Sequence, residues 1–248
     1  MRARRLTHPR TAVAGWSIQA QGDRCLIVVL GDRIDPQLNR RAHAIAENLL
    51  GAALAGVLDV VPAFSTVAVH YRPEAVQRAD GEAPWRALET RIAQIVERSS
   101  AGSPAQGRLV EIPVCYDADF GPDTAQVAAH CGLATDAIGQ AHAATEHFVY
   151  MLGFAPGQPY IGGLDRRLDI PRRATPRVRV PQGSLAIAHG MTAIYSLETP
   201  GGWSLIGRTP LQLFMPQSDP PCLLRAGDRV RFLPVGRTEF NRLLGRRS

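Results

Sequence analysis

The feature that most restricts the fold of this chain is a long segment whose proline and glycine content disfavours helices. Between residues 153 and 221 the sequence contains ten prolines and nine glycines, and short apolar segments such as SLAIAHG, AIYSL and SLIGR lie between them. Proline and glycine interrupt helices, and closely spaced turn residues between short β-rich segments are typical of all-β architectures. The later segments LQLF and RVRFLPV continue the pattern. This part of the chain is therefore predicted to form a β-barrel or a β-sandwich.

The N-terminal part has a different pattern. Cys25–Leu30 (CLIVVL) is a β-branched apolar run that predicts a buried strand, and Asp35 followed by Pro36 is typical of a helix N-terminus. That helix is expected to continue through Ala55, and a further strand is expected near Trp16. The remaining elements are predicted as two strands and an amphipathic helix, Val57–Val61, Thr66–Tyr71 and Trp85–Val96. This order predicts a small two-layer α+β sandwich domain.

A change of composition marks the domain boundary. Residues 98–108 (RSSAGSPAQGR) are rich in serine, glycine and proline and predict a linker. Only 4 of the 15 aromatic residues precede it, so the two parts differ in composition. We place the domains at residues 1–105 and 106–248. The second opens with a predicted strand at Leu109–Val114 and a helical hairpin over 123–142, whose two helices are expected to be capped by Asp123 and Thr135.

All 28 basic side chains of the chain are arginines. Without lysine, Schiff-base chemistry, a Walker A nucleotide site and the usual protein-kinase mechanism are excluded. Arginine binds carboxylate and phosphate groups through two parallel hydrogen bonds and does not act as a base at neutral pH. A GC-rich genome is the simpler explanation for the excess, and the exclusions hold in either case.

The net charge of +6 raises the question of an anionic partner. The densest arginine cluster lies between residues 166 and 179, and no aromatic residue is interleaved with it as a single-strand nucleic-acid site would need. The second helix of the hairpin carries no arginine, so a DNA-binding helix-turn-helix is disfavoured. A solvated basic surface and an anion-binding wall for a small ligand both remain open.

The sequence predicts a cytoplasmic protein. The longest uncharged apolar run, residues 49–58, is too short to cross a bilayer. Arg2, Arg4 and Arg5 are not followed by a continuous apolar segment, so an export signal is not expected. The four cysteines are widely separated and lack C-x-x-C spacing, which favours free thiols over disulfides or a zinc site.

Three further patterns each leave two interpretations open. His142 and Glu146 would share one face of a continuing helix, either as a metal or general-base pair or as a solvated polar face. The loop GFAPGQPYIGG, residues 153–163, either presents backbone amides to an anion or needs unusual backbone angles. Glu198 lies near Trp203 and Arg208 in sequence, and this set could bind a small polar ring or form a structural ion pair.

The long run GFAPGQPYIGGLDRRLDIPRRATPRVRVPQGSLAIAHGMTAIYSLETPGGWSLIGRTPLQLF, continued by LLRAGDRVRFLPV, strongly resembles the allophanate hydrolase subunit 1 family. The preceding segment EIPVCYDADFGPDTAQVAAHCGL matches the family's entry into the same domain. The resemblance covers roughly residues 14–240. This family includes the B subunit of bacterial ATP-dependent 5-oxoprolinases and the sporulation kinase inhibitor KipI.

The resemblance implies a C-terminal cyclophilin-like β-barrel after the two-layer N-terminal domain. It implies a hydrolase that opens 5-oxoproline to glutamate at the expense of ATP, with Mg, at a site shared with a partner and with no tightly bound cofactor. The implied partners are a C subunit of the allophanate hydrolase subunit 2 type and an A subunit of the LamB/YcsF type. The alternatives are a KipI-like inhibitor of a sensor histidine kinase and a carboxyltransferase-type component of urea or allophanate metabolism.

Within that resemblance, ATP would activate the lactam carbonyl by phosphorylation, which calls for arginines and backbone amides rather than a nucleophilic serine. The catalytic candidates are His142, Glu198 and Arg208, and no resident metal site is expected. The candidates for binding substrate or phosphate are Gly162, Gly163, Arg172, Arg177 and Trp203.

Two positions depart from the family pattern. Gln158 stands where relatives usually have an aromatic residue or asparagine, and Met191 stands where they carry glutamine. Such changes bear on the substrate more than on the fold.

Overall fold

A computed structural model describes residues 11–13, 15–99 and 107–245. The chain divides into two compact units, residues 1–105 and 106–248, and each has its own hydrophobic core. Most of the predicted linker over 98–108 lies outside the described residues, as do Arg2, Arg4 and Arg5. In the part of the chain that is described, no helix combines the length and apolar character needed to span a membrane.

The first unit is an antiparallel five-stranded sheet with two helices packed against it. Its strand order is β1-β2-β3-β5-β4, and its core joins residues such as Leu26 and Val69 of the sheet to Ile45 and Leu88 of the helices. The α+β class predicted for this part is confirmed. The elements are β1 (Thr11–Val13), β2 (Trp16–Ala20), β3 (Cys25–Val29), α1 (Pro36–Gly51), β4 (Val57–Pro62), β5 (Thr66–Tyr71), a 3-10 turn (Pro73–Ala75) and α2 (Pro84–Arg98).

Helix α1 begins as predicted and ends earlier than predicted. The Asp35 carboxylate accepts hydrogen bonds from the backbone N–H groups of Gln37 and Leu38, at 2.8 and 3.2 Å. The expected continuation through Ala55 is wrong, since the helix ends at Gly51. Ala53 has a φ of 45°, so the chain leaves the helix there and turns towards β4.

The second unit contains nine strands and three helices among its described residues. After β6 (Leu109–Val114) come α3 (Thr124–Cys131), α4 (Thr135–Ala143), β7 (His147–Leu152), β8 (Pro159–Gly162), a 3-10 turn (Arg166–Leu168), β9 (Arg177–Val180), β10 (Ser184–Ala188), β11 (Met191–Ile194), β12 (Thr199–Gly201), β13 (Ser204–Arg208), β14 (Arg229–Pro234) and α5 (Arg237–Gly245). Seven strands form one sheet in the order β13-β10-β11-β8-β7-β14-β6, and β9 pairs with β12 in a separate ribbon.

The seven-stranded sheet is strongly curled. Its edge strands, β6 and β13, approach each other because Cys115, just after β6, exchanges two backbone hydrogen bonds of 2.9 Å with Arg208 at the end of β13. The curled sheet follows the β-rich pattern of short strands and turns that the Pro/Gly-rich stretch predicts, and it forms a half-barrel.

Successive side chains of the sheet point to opposite faces, and the two faces differ in chemistry. The aliphatic face carries residues such as Val149, Ile161 and Ile187, which pack with Val127 of α3 and Ile138 of α4. The aromatic face carries Phe148, Tyr150, Tyr160 and Tyr195. The aliphatic face of the sheet therefore packs in the core, whereas the aromatic face has a different role.

The helical hairpin covers part of the sheet and is a packing element. Gly132 ends α3 with a φ of 65° in the left-handed region, as its position predicts. Asp123 is the N-cap residue of α3, as predicted, but its side chain makes no cap hydrogen bond. The capping prediction for α4 is wrong, since its N-cap residue is Ala134 rather than Thr135. Helix α5 is not predicted by the sequence pattern. Phe240 is its one buried residue among those described, which leaves little apolar periodicity to detect.

Candidate functional site

A cleft of about 240 Å³ opens in the second unit beside the aromatic face. We call it the Trp203 cleft. The loop before β8, the segment before β9, the residue after β11 and the turn before β13 all contribute to it. Its lining residues are Phe154, Gln158, Tyr160, Arg172, Pro176, Tyr195, Pro200, Gly201, Gly202 and Trp203.

The wall of the cleft is an aromatic cluster around Trp203. The Tyr160 ring meets the Trp203 ring edge-on, with centroids 5.9 Å apart, and the Arg172 guanidinium lies 5.8 Å from the Trp203 ring centroid. Burial raises the pKa of the Tyr195 hydroxyl, which stays protonated at neutral pH. A Cβ at position 201 would overlap the Tyr195 hydroxyl oxygen, so Gly201 lets the tyrosine reach the cleft.

Residues 171–177, the arginine strap, are held in place by one buried carboxylate. Asp123 accepts hydrogen bonds from Arg173 at 2.7 Å and from two nitrogens of Arg177 at 2.8 and 2.7 Å. It also accepts the backbone N–H of Leu205 at 2.7 Å. The backbone N–H of Arg173 donates to the Gly202 carbonyl oxygen at 2.8 Å. The strap is thus fixed to α3, to β13 and to the turn that carries Trp203.

Arg172 directly precedes the anchored Arg173 and keeps an uncompensated charge. No acidic side chain of the described residues lies within ion-pair distance of its guanidinium. The side chain also lines a second cleft of about 110 Å³, beside Gln126 and His130. An arginine that is stacked on an indole and free of a carboxylate partner can bind a small planar anion.

Gln158 is a deeply enclosed amide in the lining of the Trp203 cleft. Only 4% of its surface is exposed, and its side-chain oxygen is buried without a hydrogen-bond partner among the described residues. Its backbone is fixed, since its N–H donates to Ala155 and its carbonyl accepts from Gly153. Buried polar atoms without partners are rare in folded proteins and call for an explanation.

A larger cleft, of about 350 Å³, lies in the first unit between Tyr71, Pro84 and Trp85. Its lining is mostly apolar, with Asp23 as its charged member. Binding sites for small polar molecules usually combine an apolar wall with several converging polar groups. The Trp203 cleft meets that description better and is the candidate site.

His142, a predicted catalytic residue, lies in the core instead of in the cleft. The side chain has no exposed surface, and its ring nitrogens contact the Tyr116 hydroxyl at 2.9 Å and the Thr192 hydroxyl at 3.0 Å. The predicted shared face with Glu146 is wrong because α4 ends at Ala143. Glu146 instead forms an ion pair with Arg229 at 2.6 Å.

The two buried histidine side chains make the stability of the fold depend on pH. His142 stacks on His147, with ring centroids 5.0 Å apart, and burial holds both pKa values below their usual 6.5, that of His142 well below. Both rings are therefore neutral when folded, whereas the unfolded chain binds protons as the pH falls below 6.5. Stability present at neutral pH is then lost on acidification, by up to about 1.4 kcal/mol per pH unit for each histidine, until the folded pKa is reached.

Urea unfolding measured between neutral pH and about pH 5 tests this dependence. The midpoint should fall steadily over that range, and a His142→Phe variant, although less stable at neutral pH, should show a shallower fall. An equal slope in the variant and the wild type would contradict the assignment.

The other predicted residues are distributed over the second unit. Glu198 forms an exposed ion pair with Arg179 at 2.6 Å, and not with Arg208, which was one of the two interpretations of that set. Arg208 donates to the Gln182 carbonyl oxygen at 2.8 Å, and burial lowers the pKa of its guanidinium.

The two glycines of the loop are packing positions. A Cβ on Gly162 would overlap the Tyr150 ring, and Gly163 has a φ of 86° with the Glu146 carbonyl close by. Met191 is largely buried at the start of β11 and does not line the cleft.

Of the eight residues predicted for the site, the structure brings Arg172 and Trp203 together in one cleft. Arg177 reaches the site indirectly through Asp123. The roles assigned to His142, Glu198, Arg208 and the two glycines stay predictions. Pattern reasoning missed Tyr160 and Tyr195, which look like ordinary strand residues, and it interpreted Asp123 as a helix cap.

The donor groups of the described residues do not form a metal centre. No three histidine, cysteine, aspartate or glutamate side chains of the described ranges lie together as possible ligands. The four cysteines are free thiols, as their spacing predicts.

The chain is similar to several known proteins. It matches the family described as "Carboxyltransferase domain, subdomain C and D" over residues 16–224. It is 39% identical to the 5-oxoprolinase B subunit of Bacillus subtilis, covering 91% of this chain and 95% of that protein. It is 40% identical to the 5-oxoprolinase B subunit of Escherichia coli, covering 86% and 93%.

A solved structure has the same fold. The crystal structure of TTHA0988 is 37% identical and matches with a TM-score of 0.74 over 86% of this chain. The match covers 40% of the TTHA0988 chain, so the present chain spans less than half the length of that protein. With the family match over most of its length and relatives of similar size at about 40% identity, the chain belongs to the carboxyltransferase subdomain C and D family, among the 5-oxoprolinase B subunits.

Proposed function

We propose that this chain is the B subunit of an ATP-dependent 5-oxoprolinase, which opens 5-oxoproline to glutamate. The observation that carries the proposal is the identity of about 40% to two proteins of that name over nearly their whole length. A match of that extent includes both compact units and the residues of the Trp203 cleft.

The chemistry of the cleft is compatible with such a substrate. 5-Oxoproline is a five-membered cyclic amide that carries a carboxylate. The Arg172 guanidinium offers paired donors for the carboxylate, and the Trp203 ring offers a flat surface for the ring. The cleft volume of about 240 Å³ is below the range typical of pockets for drug-sized ligands, which favours a small metabolite over a nucleotide.

ATP and its metal ion do not fit this cleft. Mg²⁺ prefers carboxylate and phosphate oxygens, whereas the lining residues include no carboxylate. Both oxygens of Asp123, the buried acid that holds the strap, are already occupied by donors. We therefore propose that the nucleotide is held at a site shared with a partner protein, and no step is assigned to it on this chain.

The proposed partners are a C subunit of the allophanate hydrolase subunit 2 type and an A subunit of the LamB/YcsF type. The longer TTHA0988 chain supports this arrangement, because there a region like the present chain is joined to further polypeptide. Within this assembly we propose that Arg172 and Trp203 bind substrate, and that Asp123 and Arg177 position Arg172.

Co-expression of this chain with candidate C and A subunits from the same genome tests the proposal. The purified complex should hydrolyse ATP only when 5-oxoproline is present and should release glutamate in equal amount. Each separate protein serves as the control and should be inactive. A complete complex without 5-oxoproline-dependent hydrolysis would refute the proposal.

A further inference from the structure

We infer that Gln158 recognises the amide edge of the ligand and so makes the Trp203 cleft selective for a cyclic amide that carries a carboxylate. The inference rests on the proposed function for the identity of the substrate. The cleft itself, the buried Gln158 side chain and its unsatisfied oxygen are observed in this chain and do not depend on the proposed function.

The unsatisfied oxygen is the first observation. Gln158 is 4% exposed, lines the cleft and leaves its side-chain oxygen without a partner among the described residues. A buried acceptor without a partner destabilises the fold, and a methionine or leucine would fill the same space without that penalty. In our inference, a donor of the bound ligand removes this penalty, and that is the role of the amide at this position.

The geometry of the amide group is the second observation. The carboxamide of glutamine presents one acceptor and one donor on the same edge. A lactam is a cis amide, so its N–H and C=O also lie on one edge and form two parallel hydrogen bonds with a carboxamide. A lactone ring keeps the C=O but has no N–H, and a proline ring has no C=O. The carboxamide therefore distinguishes these rings, whereas an aromatic residue could not.

The position of Arg172 is the third observation. Its guanidinium lies on the Trp203 ring in the same cleft and has no acidic partner among the described residues. In 5-oxoproline the carboxylate is attached to the carbon next to the N–H. The Gln158 amide thus binds the ring amide of 5-oxoproline, and the Arg172 guanidinium binds its carboxylate. Trp203 and Tyr160 contact the apolar part of the ring.

Equilibrium binding to the full chain tests the inference. The probes are 5-oxoproline and the lactone in which a ring oxygen replaces the N–H, measured by titration calorimetry and by tryptophan fluorescence. The wild type should bind the lactam about tenfold more tightly than the lactone, since one hydrogen bond and a buried acceptor are at stake. In Gln158→Met the preference for the lactam should disappear, because methionine offers neither the donor nor the acceptor of the carboxamide.

Gln126→Met is the matched control. Gln126 lines the second cleft beside Arg172, so its replacement should leave the lactam preference intact. Gln158→Glu is a second variant, which keeps the size of the side chain and introduces a negative charge, and it should lose lactam binding. Thermal unfolding of each variant establishes that the fold is retained.

Equal affinities of the wild type for lactam and lactone would overturn the inference, as would a preference that survives in Gln158→Met or an absence of lactam binding at millimolar concentration. The proposed function fails separately. A complex that turns over 5-oxoproline without any effect of Gln158 overturns only this inference, and a chain that discriminates the rings within an inactive complex overturns only the assigned reaction.

Discussion

Replacing Asp123 with asparagine is expected to lower the free energy of unfolding of the second unit by about 3 kcal/mol. The substitution leaves Arg173 and Arg177 without their shared carboxylate, and removal of one member of a buried pair typically costs about 3–5 kcal/mol. The lower end applies because Arg173 and Arg177 keep 27% and 24% of their side-chain surface exposed, whereas Asp123 keeps 5%. Water therefore screens part of the uncompensated charge.

Equilibrium unfolding in urea measures this effect, with Glu111→Gln as the matched control. Glu111 forms an exposed ion pair with Arg231 at 3.3 Å, and loss of such a surface pair changes stability by less than about 1 kcal/mol. An Asp123→Asn variant as stable as the control would show that the strap is not held by this carboxylate. A folded variant should also bind 5-oxoproline more weakly, since Arg172 loses its anchored neighbours.

Replacing Arg172 with alanine is expected to lower kcat/KM for 5-oxoproline in the assembled complex by roughly 10- to 150-fold. This range corresponds to the loss of hydrogen bonds to a charged group, about 1.5–3 kcal/mol. Arg172→Lys keeps the charge but loses the guanidinium over the Trp203 ring and its paired donors, so an intermediate value is expected. Stability should change little in both variants because Arg172 has no acidic partner among the described residues.

Arg167→Ala is the control for this experiment. Arg167 belongs to the same arginine cluster but forms an exposed ion pair with Asp165 at 2.6 Å. Its replacement should leave kcat/KM within about twofold of the wild type. Wild-type kcat/KM in Arg172→Ala would remove Arg172 from the site.

Local patterns predicted most of the secondary structure. The strand Leu109–Val114 and the start of α1 at Pro36 were predictable because apolar periodicity and the Asp-Pro pair act over a few residues. The ends of elements were less predictable. Helix α1 stops at Gly51, and the left-handed backbone of Ala53 that follows is not predictable from an alanine.

The site depends on contacts that no local pattern contains. Asp123 meets Arg173 and Arg177 across 50 and 54 positions of sequence, and its place before a helix suggested a simpler role. The sequence left His142 either in a pair with Glu146 or on a solvated face, whereas the packing of α4 places it against His147 in the core. Arg172 and Trp203 were found through family resemblance, whereas the unsatisfied oxygen of Gln158 required coordinates.

The alternation of the two sheet faces has a consequence for any saturation mutagenesis of this chain. Along β8 and β11, substitutions at Ile161 or Thr192 should reduce the amount of soluble protein, since both side chains face the core. Substitutions at Tyr160, the neighbour of Ile161 in the chain, should reduce ligand affinity at a normal yield, because this half-buried side chain lines the cleft. A screen for growth and a screen for protein abundance should therefore give different results at every second residue of these strands. The positions where a substitution lowers growth but not abundance would outline the binding surface without any bound ligand.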